Sequence, residues 1–270
     1  MKRLINKIKI FPNDNEKSKE ITQLLKERLE LANFEIVDSK YDLAIAVGGD
    51  GSFLRMVKNN VFDSETYYVG INAGTLGFLQ EISIADIDIF IERLNKNDFT
   101  IQTIGVQETK ITTKDGNISR FFSLNEIVIR DKNLKTAKLI IEIDNELLEK
   151  YIGDGILIST SIGSTAYNLS FGGSIVYDDL HTLQITPIAP LNTKSYRDVL
   201  NSIIIPENRT ITIKPTGDTH NILVSVDGEN NFYNDVEEIS TIVRNKKIKC
   251  VRMSNFSYAK KINEKFLTEK

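Results

Sequence analysis

Leu43-Ala44-Ile45-Ala46-Val47 runs without a polar side chain and stops at Gly48-Gly49-Asp50-Gly51, after which a helical stretch extends from Ser52 to about Asn60. An apolar run of that length fits a strand buried on both faces, and strand, glycine turn, helix is the unit of a parallel α/β sheet. The unit recurs on either side. Ile8 and Ile10 mark a strand, and the stretch from Asp14 to Leu31 puts Ile21, Leu24, Leu25 and Leu29 on one helical stripe. Tyr67 to Ile71 reads as a strand entering Asn72–Phe78, and Ser83 with Asp86 resembles a capping box opening a helix with Ile84, Ile87, Ile91 and Leu94. Residues 1–100 are therefore expected to form a doubly wound α/β domain.

Beyond residue 101 the helical period gives way to short strands and turns. Lys110 to Thr113, Phe121 to Arg130, Leu139 to Ile143, Ser202 to Ile205, Thr210 to Lys214, Ile222 to Val226 and Ile248 to Met253 all read as strands. A mainly-β domain is expected over 101–253. The polar tail, 254–270, has no clear period and is expected to pack back on the N-terminal domain.

Composition narrows the functional classes. Of 270 residues, 41% are hydrophobic and 26% charged, which excludes general disorder. Lys plus Arg against Asp plus Glu is 13 to 16 in residues 1–100 and 21 to 21 afterwards, so neither part is a basic nucleic-acid or membrane surface. Cys250 stands alone, and His181 and His220 lack metal-ligand spacing, which argues against a zinc site. The first residues, MKRLINKIKIF, lack the pattern of a signal peptide, and no apolar run approaches the roughly 18 residues a membrane span needs. A cytoplasmic, reduced protein is expected.

The glycine-flanked Asp50 lies where open α/β sheets bind ligands, beyond a strand's carboxyl end and at a helix N-terminus that favours anions. The absence of a Gly-Lys pair rules out a Walker A loop, and Leu54 stands where a dinucleotide fingerprint after Gly49-x-Gly51 needs glycine. Asp50 also has a plain reading as a helix cap. Further small, polar clusters end strands in both domains, at 72–78, Asn125-Glu126, 153–160 and 163–168. Together they suit a cleft between the domains, lined by hydroxyls, amides and carboxylates, for a nucleoside or sugar. Each cluster alone reads equally as a turn or strand edge, and Asp227-Gly228 reads first as a hairpin turn.

GGDGSFLR (48–55), NAGTLGFL (72–79), LNEIVIR (124–130), GDGILIST (153–160) and GSTAYNLSFGG (163–173), in that order, resemble the NAD kinases. GGDG alone also admits diacylglycerol and sphingosine kinase relatives and phosphofructokinases; GSTAYN sets those aside. The resemblance implies transfer of the ATP γ-phosphoryl group to the 2′-hydroxyl of the NAD adenosine ribose, with a divalent cation, Mg²⁺, carried by the nucleotide phosphates. It further implies an N-terminal α/β domain, a C-terminal β domain and homo-oligomers, dimers or tetramers. Asp50 matches the catalytic aspartate, Gly51 and Arg55 the phosphate side, and Phe78 a position near the NAD pocket. Asn125 and Glu126 match positions holding the ribose, and Thr165, Ala166 and Tyr167 the adenosine pocket. Asp154, Ala189 and Asp227 match NAD contacts, some from a neighbouring subunit, and Ser170 is a further candidate. The chain departs from the family at Ile152, where many relatives carry a basic residue, and at Thr160-Ser161-Ile162-Gly163, in place of TP-x-G, where Ile162 removes a possible hydroxyl contact. A sensor that binds NAD without turnover and a lipid kinase are the competing readings; the intact Asp50 opposes the first, and the lack of an amphipathic basic helix the second.

Overall fold

The structure, a computed structural model, describes residues 3–74, 77–192, 197–254 and 256–268. The chain divides into two compact units, Met1–Ile104 with Lys247–Lys270, and Gly105–Lys246.

The first unit begins with β1 (Lys7–Pro12), α1 (Glu16–Leu31), β2 (Glu35–Ile36), β3 (Leu43–Gly48), α2 (Asp50–Asn59), β4 (Tyr67–Asn72) and α3 (Ile87–Lys96). β1, β2, β3 and β4 are parallel in the order β2-β1-β3-β4. The chain leaves β1 towards β2 but leaves β3 towards β4, so right-handed crossovers place α1 and α2 on opposite faces. Burial agrees. Ile21, Leu25 and Leu29 of α1 share a core cluster with Leu43, Ile45, Val47 and with Phe90 and Leu94 of α3, while Phe53, Met56 and Val57 of α2 are buried outside that cluster. β3 is buried at every position, as its unbroken apolar run requires. The point where the winding reverses lies between the carboxyl ends of β1 and β3, at Asn13 and at Gly49-Asp50. The expected capping box is a side-chain contact, Ser83 Oγ donating to Asp86 Oδ2 at 2.6 Å, ahead of a single 3-10 turn at Ile84–Asp86.

β5 (Thr100–Thr113) leads into the second unit, followed by β6 (Ile118–Ser123), β7 (Glu126–Asp131), β8 (Ala137–Ile143), β9 (Glu146–Gly153), β10 (Gly155–Thr160), the short helix α4 (Tyr167–Ser170), β11 (Thr182–Ile188), β12 (Ile203–Pro206), β13 (Ile211–Pro215), β14 (Ile222–Val226), β15 (Glu229–Tyr233) and β16 (Val236–Arg252). Six of these form an antiparallel sheet, β12-β11-β10-β7-β14-β15; β16, β13, β8 and β9 form a second antiparallel run. Ile127, Ile129, Ile156 and Ile158 from the first share one core with Leu139, Ile141, Ile211 and Ile213 from the second, the arrangement of a sandwich.

Several sequence expectations need correction. Phe121 to Arg130 is not one strand: the ladder breaks at Leu124-Asn125, whose amides turn to Asp227. β9 and β11 carry no expectation because β9 is a half-exposed edge strand and β11 contains Pro187. The expected strand Ile248 to Met253 is, as far as Arg252, the end of the 17-residue β16, and this stretch pairs with β4 in parallel, through Lys249↔Tyr67 and Cys250↔Tyr68, inside the first unit. The tail without a period contains the helix α5 (Tyr258–Phe266), capped by Ser257 accepting from Lys260 N. Among the described residues no helix is long and apolar enough to cross a membrane.

Candidate active site

In the first unit the structure corrects the simplest reading of Asp50. The residue capping α2 is Gly49, in extended conformation, and Asp50 is the first helical residue. Its carboxylate caps nothing in its own helix. It receives two amides from the loop after β4: Phe78 N–H donates to Oδ2 and Leu79 N–H to Oδ1, both at 2.9 Å. Each carboxylate oxygen therefore spends one lone pair and keeps another. The loop is tied down beside it, with Gln80 Nε2 donating to the Gly49 carbonyl at 2.7 Å. Gly77 lets the loop come this close, because a Cβ there would fall on the Asp50 carboxylate. Thr75 and Leu76 of the NAGTLGFL motif lie outside the described residues.

Arg55 is one helical turn further along α2, where its Nη2 donates to Asn13 Oδ1 at 2.8 Å and to Ser52 Oγ at 3.2 Å. It thereby links the two strand ends at the winding reversal. Gly51 is exposed on the first turn of α2. The Phe78 ring packs on α5, 6.0 Å from Tyr258 and 5.4 Å from Phe266. From α5, Lys261 Nζ donates to the carbonyls of Phe78 and Gln80 and pairs with Glu81, which also pairs with Arg252. Burial, with the Arg252 charge second, pushes the Lys261 ammonium down to about 8.

The second unit gathers another set. Asp227 and Gly228 form the two-residue turn between β14 and β15, with φ of 46° and 87°, as a hairpin of this length favours. The Asp227 carboxylate accepts from three successive amides, Leu124 N–H at 2.8 Å, Asn125 N–H at 2.8 Å and Glu126 N–H at 3.2 Å. This fixes the start of β7. Glu126 is 5% exposed; burial, and then the charge of Asp227, raise its carboxyl to about 8, against the hydrogen bond donated by Tyr167 N–H. Its Oε2 has no hydrogen-bond partner among the described residues.

The GSTAYN turn packs on the same place. Gly163 lies against the Asn125 backbone so closely that a Cβ would overlap it, and Thr160 N–H donates to the Asn125 carbonyl at 2.9 Å. Thr165 ends the 3-10 turn, its Oγ1 reaching the Ile162 carbonyl at 3.5 Å, and Ala166 joins that turn to α4. Tyr167 is 46% exposed, its ring edge-on to Phe171 with centroids 4.7 Å apart. Asn168, buried beneath, accepts from Thr186 Oγ1 at 2.6 Å and holds the turn.

Not every expected residue joins these groups. Asp154 and Ala189 adjoin each other, Asp154 N–H donating to Ile188 O at 2.9 Å, but at the opposite end of β10 from Ser159, which pairs with Glu126. Five residues of strand put Asp154 roughly 17 Å from that end. Both are exposed, Ala189 with φ of 47°. Ser170 is exposed at the end of α4. At the departing position Ile152, the backbone N–H donates to Asp198 Oδ2 at 3.1 Å. Sequence reasoning gave no role to Gln80 or Lys261; Gly77 was visible as the second glycine of NAGTLGF. Among the described residues no group of three or more His, Cys, Asp or Glu side chains could hold a metal ion.

Comparison with known proteins covers both units. Residues 6–99 match the ATP-NAD kinase N-terminal domain and residues 124–253 the ATP-NAD kinase C-terminal domain. An NAD kinase of Finegoldia magna is 37% identical over 269 residues, 96% of this chain and 97% of that one. An NAD kinase of Streptococcus gordonii is 33% identical over 100% of this chain and 98% of its own. Two solved structures share the fold. Yeast NADH kinase complexed with NADH aligns with a TM-score of 0.84 at 23% identity, covering 98% of this chain and 89% of that chain. An NAD kinase from Archaeoglobus fulgidus in complex with ATP aligns with a TM-score of 0.75 at 20% identity, covering 96% and 99%. With both domains matched in order and a relative 37% identical along 96% of its length, the chain belongs to the ATP-NAD kinase family, and its activity is the ATP-dependent phosphorylation of NAD to NADP.

Proposed function

We propose that Asp50 is the proton acceptor of this reaction. The adenosine ribose 2′-hydroxyl oxygen forms a bond to the γ-phosphorus of ATP, the bond from that phosphorus to the β,γ-bridging oxygen breaks, and the hydroxyl proton passes to Asp50. NADP and ADP leave. The observation that carries this reading is the pair of amides on Asp50, which fixes both oxygens while leaving each a free lone pair. Phosphoryl transfer demands positioning and charge balance above all, with one group to take or orient the hydroxyl proton.

The other residues serve binding in this reading. Arg55 and Gly51, on the first turns of α2, face the phosphates, where a helix N-terminus favours anions. Phe78 contributes through its backbone on Asp50 and through contact near the NAD pocket. Asn125 and Glu126 hold the ribose hydroxyls; the unpartnered Glu126 Oε2 is a buried polar atom that a ribose hydroxyl would satisfy. Thr165, Ala166 and the half-exposed Tyr167 ring take the adenosine, and Asp227 orders the Asn125-Glu126 backbone. Ser170 is a peripheral contact.

Asp154 and Ala189, remote along β10 from Glu126, serve the NAD of a neighbouring copy, which makes the working form a homo-oligomer, a dimer or tetramer. Mg²⁺ comes with the nucleotide phosphates, and no protein ligand set is assigned to it. The setting is the cytoplasm; Cys250 is buried, and burial raises its thiol to about 11, as suits an unreactive cysteine.

The test is the pH dependence of kcat/KM for NAD. Wild type is expected to lose activity at acid pH along a limb set by one group, and the residual activity of Asp50→Asn is expected to lack that limb. An unchanged limb in the variant would assign the base elsewhere.

A further inference from the structure

A buried ammonium must find its partners on neighbouring elements, and Lys261 of α5 finds all of them on one short segment. Its Nζ lies 3.1 Å from the Phe78 carbonyl, 2.6 Å from the Gln80 carbonyl and 3.5 Å from Glu81 Oε2. Three donors meet three acceptors. The Phe256 ring closes another side at 4.9 Å. Glu81 in turn is fixed by Arg252 Nη1 at 3.2 Å and by Met253 N–H at 3.1 Å. The anchor point is rigid.

Peptide planarity gives this anchor a consequence at Asp50. The carbonyl of Phe78 and the N–H of Leu79 belong to one trans peptide plane and point in opposite directions. The first is held by Lys261, and the second donates to Asp50 Oδ1 at 2.9 Å. Fixing one end of the plane aims the other. The Phe78 ring, packed on Tyr258 and Phe266, restrains the same plane from α5 a second time.

We propose that Lys261 is a positioning residue for phosphoryl transfer: from the C-terminal helix it orients the Phe78–Leu79 peptide, and through it the Asp50 carboxylate. The inference rests on the reading of Asp50 as proton acceptor. What ties Lys261 to Asp50 is where its bonds go: two of the three end on the carbonyls of Phe78 and Gln80, which flank Leu79, the residue whose amide donates to Asp50.

The experiment compares Lys261→Met with Lys260→Met, whose ammonium is exposed and pairs with Glu264 on its own helix. Lys261→Met is expected to lower kcat roughly 10–100-fold, as a small displacement of a reacting group does, with KM for NAD within about twofold of wild type. Amide hydrogen exchange at Leu79 is expected to accelerate about tenfold or more. Lys260→Met should change neither. In the Asp50→Asn background, Lys261→Met should cost nothing further, because the two act as one unit. Wild-type kcat in Lys261→Met, or a full additional loss in the double variant, would overturn the proposal. If Asp50→Asn alone keeps wild-type kcat, the base reading fails by itself; faster Leu79 exchange in Lys261→Met then still supports the anchoring, and unchanged exchange overturns it. Should Lys261→Met not fold, Lys261→Gln, neutral with two donors, is measured instead: partial loss of rate with faster exchange supports the inference, and wild-type values for both contradict it.

Discussion

Asp50 and Asp227 are both aspartates followed by glycine at the end of a strand, and both are gripped by backbone amides, yet the grips differ. Asp227 takes three amides from consecutive residues of one strand start, and it sits in a tight turn at positive φ. Asp50 takes two, one on each oxygen, from a loop that a helix elsewhere in its unit holds in place. The first arrangement uses the carboxylate to fix the backbone at the start of β7. The second fixes the carboxylate and leaves a lone pair on each oxygen. The same two residue types are thus held in two ways, and the number and source of the donors distinguish them: under the proposed function the first serves architecture and the second reaction.

The largest stability effect should come from breaking the three-amide grip. Asp227→Ala strands three amides at the start of β7, and a loss of about 2–4 kcal/mol is expected by denaturant unfolding, with a raised KM for NAD. It also removes the neighbouring negative charge from Glu126, so the Glu126 carboxyl should titrate lower in the variant.

Glu126→Gln sharpens the same contrast through pH. With its carboxyl raised from 4.5 to about 8, the folded protein keeps a proton that the unfolded chain gives up first. Its contribution to stability is therefore full below about pH 4.5 and is lost as pH rises through about 8. The variant lacks that slope. Its stability relative to wild type should rise between pH 5 and 8.5, by about 1.4 kcal/mol per pH unit at the middle of that range, and then level off; a difference independent of pH would mean Glu126 is ionised throughout.

The smallest effect belongs to a true cap. Asn15 accepts from Ser18 N–H at 2.8 Å at the start of α1, the role that Asp50 does not play at α2. Asn15→Ala should cost about 1 kcal/mol of stability and leave kcat unchanged.

These differences mark what the sequence made legible. The doubly wound unit could be read from Leu43–Val47 and its glycine turn because a strand buried on both faces has no room for polar residues. The position of Asp50 beyond a strand end follows from the same pattern, and the segments around Asn125-Glu126 and Thr165–Tyr167 were visible as clusters of small polar residues. The partners of Asp50 and Asp227 were not, since both are amides from distant segments and any residue but proline supplies an amide. α5 escaped because only Tyr258 and Lys261 are buried along it, too few to set a period. Lys261 escaped for a related reason: a lysine reads as solvent-facing until its acceptors are seen. The break between β6 and β7 was hidden because Leu124 is apolar and its amide, not its side chain, changes partner.

The most direct test is single-turnover NADP formation by Asp50→Asn, with NAD affinity measured on the same preparation. Asparagine satisfies only one of the two amides, so the folded state is checked by thermal unfolding alongside. Phosphoryl transfer is expected to be roughly 10²–10⁴-fold slower at nearly unchanged NAD affinity. A folded variant that forms NADP within a few-fold of the wild-type rate would contradict it.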